Sequence, residues 1–206
     1  MIVENLKEYE YIITMKETMT QKKARYHLQS ADVSSYDQLE DDGFLYQLVE
    51  GVLIMAAAPI LFHQDILMKL TLIISKFLES HPIGKIYFAP TDVELNDQNI
   101  YQPDLLFVSR ERSAILKGKR VVGAPDLVIE VLSVGTKDLD LGVKYKVYEQ
   151  SGILEYWIVD PQKKSFKFYQ LKDKLFHEIP VEKEYTSQVL SPLNLSPSDF
   201  WNKLKS

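Results

Sequence analysis

The sequence predicts a mixed α/β fold, one sheet with helices on its faces. Three observations lead there. Two almost wholly apolar segments, Asp126–Leu132 and Glu155–Asp160, flank a helix-patterned stretch. That order implies a right-handed parallel crossover between buried strands. The segments before them are joined by short links and should pair antiparallel.

The elements follow in order. Ser34 or Ser35 can cap a short helix through Leu39, and Asp41-Asp42-Gly43 reads as a turn. Tyr46–Met55 alternates and reads as two strands hinged at Glu50-Gly51. After Pro59, the apolar positions Ile66, Leu70, Ile73 and Phe77, with Leu67, Ile74 and Leu78, form a helical stripe from Leu61 to Ser80. Pro82 and Gly84 end it. Four strands are expected next: Lys85–Glu94, Asp104–Val108, Asp126–Leu132 and Glu155–Asp160. Asp138–Gln150 is the helix between the last two, stopped by Ser151-Gly152. Ser165–Leu171 and Leu175–Ile179 read as a hairpin, and residues 198–204 as a short capped helix. The core order is helix, strand, strand, strand, helix, strand, with a hairpin before and after.

The chain has 206 residues, 46% apolar and 26% charged. These values suit a globular chain of about one domain. The expected division is an N-terminal arm, 1–30, and a single domain, 31–206. There is no Cys, which excludes a disulfide scaffold, a thiolate zinc site and a Cys nucleophile. The four His are scattered without HxxxH or HExxH spacing, against a zincin-type site. No apolar run reaches the ~18–20 residues of a membrane helix, and the first residues are too acidic for a signal peptide. A cytoplasmic protein with no membrane partner is expected. With a net charge of −5, any nucleic-acid partner needs a local basic patch.

Chemistry enters through carboxylates in apolar strands. Glu130 sits in the middle of DLVIEVL, on the face of Asp126, Val128 and Leu132. An ionised carboxylate there is costly unless paired or cation-bound. Asp104 heads the apolar DLLFV, and Glu50 lies between Leu48 and Val52 on its pleat. Converging acids repel unless a divalent cation or a lysine joins them. Asp140, Lys144 and Tyr148 share a helix face at i, i+4 and i+8, and the crossover brings that face over the sheet. Lys144 is the expected ammonium; Lys137 and Lys146 compete with it. Oxygen-only ligands favour Mg²⁺ or Mn²⁺, held by Asp104 and Glu130. Asp126 is expected at the strand start, outside the metal shell.

The pattern resembles the PD-(D/E)XK nuclease superfamily, with an acid opening the second core strand and an acid on the third. Glu130-Val131-Leu132 departs from the usual Glu-x-Lys. Lys144 matches the variation in which the lysine has moved to the following helix. At closer range the chain resembles the bacterial Uma family of restriction-endonuclease-like proteins. The matching words are YDQLEDDGFLYQLVEGVLIM, APILFHQDI, QPDLLFVS, GAPDLVIEVLS and DLGVKYKVYEQSGILEYWIVDP. Two departures are VGTKDLD after LS and the first thirty residues. The resemblance implies a restriction-endonuclease-like core, a metal-dependent phosphodiesterase site and a DNA substrate. Its site is Glu50, Asp104, Glu130 and Lys144. His63 matches a recurrent family His and serves either as a general base or as a structural His.

The expected function is an Mg²⁺-dependent DNA endonuclease. The alternative is a nuclease-fold protein that binds nucleic acid or a partner protein without cutting. A metal enzyme acting on another phosphoester is a third class. Arg110, Arg112, Lys117, Lys119 and Arg120 form the basic loop that could grip DNA. The aromatic C-terminal pieces, among them Trp157, Phe166, Phe168, Tyr169, Phe200 and Trp201, suit either a homodimer interface or the core.

Overall fold

The computed structural model describes residues 24–56, 58–133, 135 and 137–204. What is expected of residues 1–23 lies outside these. The described end of the arm is tied down. Leu28 N–H donates to Leu53 O (2.7 Å) and Leu53 N–H to Gln29 O (2.8 Å).

Helix α1 (Val33–Asp37) is capped by Asp32, whose Oδ1 accepts from Ser35 N–H at 2.7 Å, and not by Ser34 or Ser35. Strands β1 (Tyr46–Val49) and β2 (Val52–Met55) form the expected hairpin. Its turn residues Glu50 and Gly51 have φ of +49° and +75°, the twist that a two-residue hairpin needs. Glu50 therefore lies exposed in the turn, not on the pleat between Leu48 and Val52 as the alternation implied.

Helix α2 (Leu61–Ser80) runs its full predicted length because no Gly or Pro interrupts it. His63, Ile66, Leu70 and Ile74 are its buried stripe, at the spacing of one helix face. The segment Lys85–Glu94 is two strands, not one: β3 (Gly84–Phe88) and β4 (Val93–Asn96), in different sheets. Pro90, between them, has no N–H to continue a ladder. Next come β5 (Asn99–Tyr101) and β6 (Leu105–Ser109). The expected basic loop instead holds a 3-10 turn, Ser113–Ile115, and the small hairpin β7 (Leu116–Lys117) and β8 (Arg120–Val122).

Strand β9 (Leu127–Val131) precedes the crossover. The crossover helix is not continuous but breaks at Gly142 into α3 (Lys137–Leu141) and α4 (Val143–Ser151). A Cβ at Gly142 would lie 2.6 Å from Asp138 O, so only glycine lets the two helices turn this tightly. Strand β10 (Glu155–Asp160) pairs parallel with β9, as a crossover requires. Then follow β11 (Ser165–Lys172), β12 (Leu175–Glu178), β13 (Tyr185–Thr186), β14 (Asn194–Leu195) and α5 (Pro197–Leu204).

The main sheet has the order β12-β11-β10-β9-β6-β3, and all its pairs except β9·β10 are antiparallel. A second six-stranded sheet, β2-β1-β5-β4-β8-β7, was not anticipated. Two cores result. Leu127, Ile129 and Val131 pack with Ile66, Leu70 and Ile74 of α2 and with Trp157, Phe168, Phe200 and Trp201. Val128 and Leu132 face the other way, toward Val147 and Tyr148 of α4 and Val93, Tyr101 and Val121 of the second sheet. The C-terminal aromatics thus fill the chain's own core. Fully burying one large apolar side chain is worth about 1.5–3 kcal/mol. Among the described residues, no helix is long and apolar enough to cross a membrane.

Candidate functional site

The antiparallel register of β6 and β9 sets Leu105 opposite Ile129. One step on, Asp104 faces Glu130, and its N–H donates to Glu130 Oε2 at 3.3 Å. In return, Val131 N–H donates to Asp104 Oδ2 at 2.7 Å. By strand parity both carboxylates belong to the face of Leu106 and Val128. The two acids thus meet at the end where β6 begins and β9 finishes.

The crossover helices cover that end. Lys144 Nζ donates to Glu130 Oε1 at 2.9 Å and lies 3.0 Å from Asp140 Oδ1. Tyr148 OH donates to the same Oε1 at 2.8 Å. Glu130 is 3% exposed and Lys144 2%. Burial raises the proton affinity of Glu130, and the charges of Asp140 and Asp104 raise it further against the pull of Lys144. Burial also works against the Lys144 ammonium, but Glu130 and Asp140 outweigh it and hold the lysine charged. Two carboxylate contacts at 2.9 and 3.0 Å favour the ionised pair, with Glu130 still shifted upward.

His63 closes the other side. Its Nε2 lies 3.1 Å from both Asp104 Oδ2 and Val131 O. Two acceptors require the proton on Nε2. Nδ1 is buried and has no hydrogen-bond partner among the described residues. Burial lowers the His63 pKa, but the hydrogen bond and charge of Asp104 overcome it, and the net direction is upward. A raised folded pKa stabilises fully below the unfolded value, about 6.5, and that contribution is lost as pH rises through the folded value. Wild type should therefore exceed His63→Gln most in thermal stability at about pH 5.5, and the gap should narrow above neutrality. A gap constant from pH 5 to 9 would show that the imidazole charge is not involved.

The other sequence candidates fall elsewhere. Glu50 Oε1 accepts from Asn99 Nδ2 at 2.9 Å. It approaches the cluster through Asn99 and Tyr101, whose ring centroid is 6.0 Å from Lys144 Nζ. Asp126 stands at the far end of β9, where its Oδ2 accepts from Ser109 N–H at 2.7 Å. Lys146 is exposed and Lys137 half-buried. In the basic region, Arg112 pairs with Asp126, and Arg120 with Asp37 and Glu94. Asp140 and Tyr148, on the Lys144 face by spacing, add contacts to Lys144 and to Glu130 that spacing does not specify. Their i, i+4, i+8 alignment was the available signal.

The donor set bears on a divalent cation. Among the described residues no three His, Asp or Glu side chains form a ready-made cage. Mg²⁺ does not need one, since it commonly takes one or two carboxylates with water and phosphate oxygens. Asp104 Oδ2 and Val131 O already converge on a single N–H. Two acids, Glu130 and Asp140, flank one buried ammonium, and Asp104 meets Glu130 through its backbone N–H. Asp104 and Glu130 are the side chains that could hold such an ion.

Fold and cluster together define a nuclease-like α/β protein of the restriction-endonuclease-like kind. A crystal structure described as a putative nuclease belonging to DUF820 from Anabaena variabilis is similar, with a TM-score of 0.69 at 18% identity. The match covers 84% of this chain and 98% of that one. The family model of Uma2, described as "Putative restriction endonuclease", matches residues 33–202. The chain belongs to the Uma2 family. Among curated proteins, none matches it.

Proposed function

We propose that the chain is a divalent-cation-dependent endonuclease hydrolysing phosphodiester bonds of DNA. The observation that carries this reading is the pair of opposed carboxylates, Asp104 and Glu130, with the Lys144 ammonium buried 2.9 Å from one of them. When bound by Asp104 and Glu130, Mg²⁺ or Mn²⁺ supplies Lewis acidity at the scissile phosphate and a water of lowered pKa. Lys144 orients that water or neutralises charge developing in the transition state. His63 holds the Asp104 carboxylate in place through its Nε2–H. Glu50, spent on Asn99, stays at the margin.

The second reading is a nuclease-fold protein that binds nucleic acid or a partner without cutting. The net charge of −5 and the engagement of Arg112 and Arg120 in ion pairs favour it. Plasmid nicking with Mg²⁺ or Mn²⁺ separates the two. Wild type should nick. Asp104→Asn and Glu130→Gln should lose ~10²-fold or more, the scale of a lost electrostatic group at the reacting centre. Asp126→Asn should keep both activity and metal binding. A wild type that binds DNA yet nicks with neither metal overturns the endonuclease in favour of the second reading.

A further inference from the structure

Asp140 is a buried acid that the proposed chemistry leaves without a task. It is 1% exposed and sits one helical turn before Lys144, across the Gly142 break. Its Oδ1 lies 3.0 Å from Lys144 Nζ, as an ion pair and not an aligned hydrogen bond. Its backbone carbonyl accepts from Tyr156 OH at 3.1 Å, which pins the turn to β10. An acid in this position is costly to bury unless it is paired. What it adds is a second claim on the ammonium that Glu130 would otherwise hold alone.

We propose that Asp140 is a positioning residue that acts through Lys144. It shares the ammonium between two carboxylates, so Glu130 is not neutralised and stays available to a cation. It also fixes the ammonium beside Glu130, and the i, i+4 pair spans the Gly142 break. This inference rests on the endonuclease reading, but part of its test does not.

The full-length chain is titrated with Mg²⁺ alone by calorimetry, as wild type, Asp140→Asn, Lys144→Ala and the double variant. Asp140→Asn should weaken Mg²⁺ binding by about tenfold, within the usual range for outer partners of metal ligands. Lys144→Ala should leave it equal or tighter. In nicking, Asp140→Asn should lower kcat by about tenfold with KM for plasmid unchanged. The same change made in Lys144→Ala should add nothing further. Unchanged Mg²⁺ binding in Asp140→Asn overturns the inference, as does a kcat loss that persists undiminished without Lys144. If wild type fails to nick, the endonuclease reading falls, while the opposite signs of the two Mg²⁺ titrations still decide the role of Asp140. Should Asp140→Asn not fold, Asp140→Glu keeps the charge but displaces the ammonium. It should bind Mg²⁺ within twofold of wild type yet lose kcat, and an unchanged kcat would overturn the inference.

Discussion

Lys144→Ala is expected to lower the nicking rate ~10²-fold or more, the usual scale for one electrostatic donor at a reacting centre. The same change should cost about 3–5 kcal/mol of stability, because Glu130 and Asp140 are then buried together without a cation. Acid should relieve that deficit. Without the ammonium the folded pKa of Glu130 rises further, so stability is retained at low pH and lost as pH climbs through it. Mg²⁺ should raise the melting temperature of this variant more than that of wild type, since it replaces the missing positive charge. Lys146→Ala, on the exposed side of the same helix, should change neither rate nor melting temperature. Equal rates and equal melting for wild type and Lys144→Ala would remove the residue from mechanism and fold alike.

The second large effect lies away from the site. Glu155, 1% exposed, opens β10 and accepts from Trp157 Nε1, Ser187 Oγ and the N–H groups of Gln188 and Val189. It therefore anchors residues 187–189 to the main sheet. Glu155→Ala strands several buried donors at about 1–3 kcal/mol each, and a loss of about 3–5 kcal/mol is expected. Glu155→Gln should cost less, since one oxygen remains and the Ser187 hydroxyl can turn to accept. Chemical denaturation of both variants measures this. An alanine variant as stable as wild type would mean that water replaces the carboxylate at no cost. Mg²⁺ binding should be unchanged in both.

Much of the main sheet was readable because its strands carry periodic signals. Glu155–Asp160 is bounded by Pro161, and the α2 stripe is uninterrupted from Leu61 to Ser80. The meeting of Asp104, Glu130 and Lys144 follows from strand parity and the i, i+4, i+8 face. Of the second sheet, only the β1–β2 hairpin was readable. Its strands are two to four residues long, too short to show a period, and the pairs that join its three hairpins, β1·β5 and β4·β8, are distant in the chain. That is also why Lys85–Glu94 looked like one strand. Alternation placed Glu50 on a pleat because a two-residue turn interrupts the pattern without shifting its parity. The Gly142 break was invisible, since it depends on a backbone contact with Asp138.

The cluster is assembled almost wholly from distant parts of the chain. Its contacts join residues 63 and 104, 104 and 131, 63 and 131, and 130 and 144, with separations of 41, 27, 68 and 14. Contacts of that kind close late, after the loops between them have been ordered. A nascent chain, a fragment or a locally opened molecule can hold every one of these residues and still have no site. Whatever the cluster does, it is withheld until the molecule is finished.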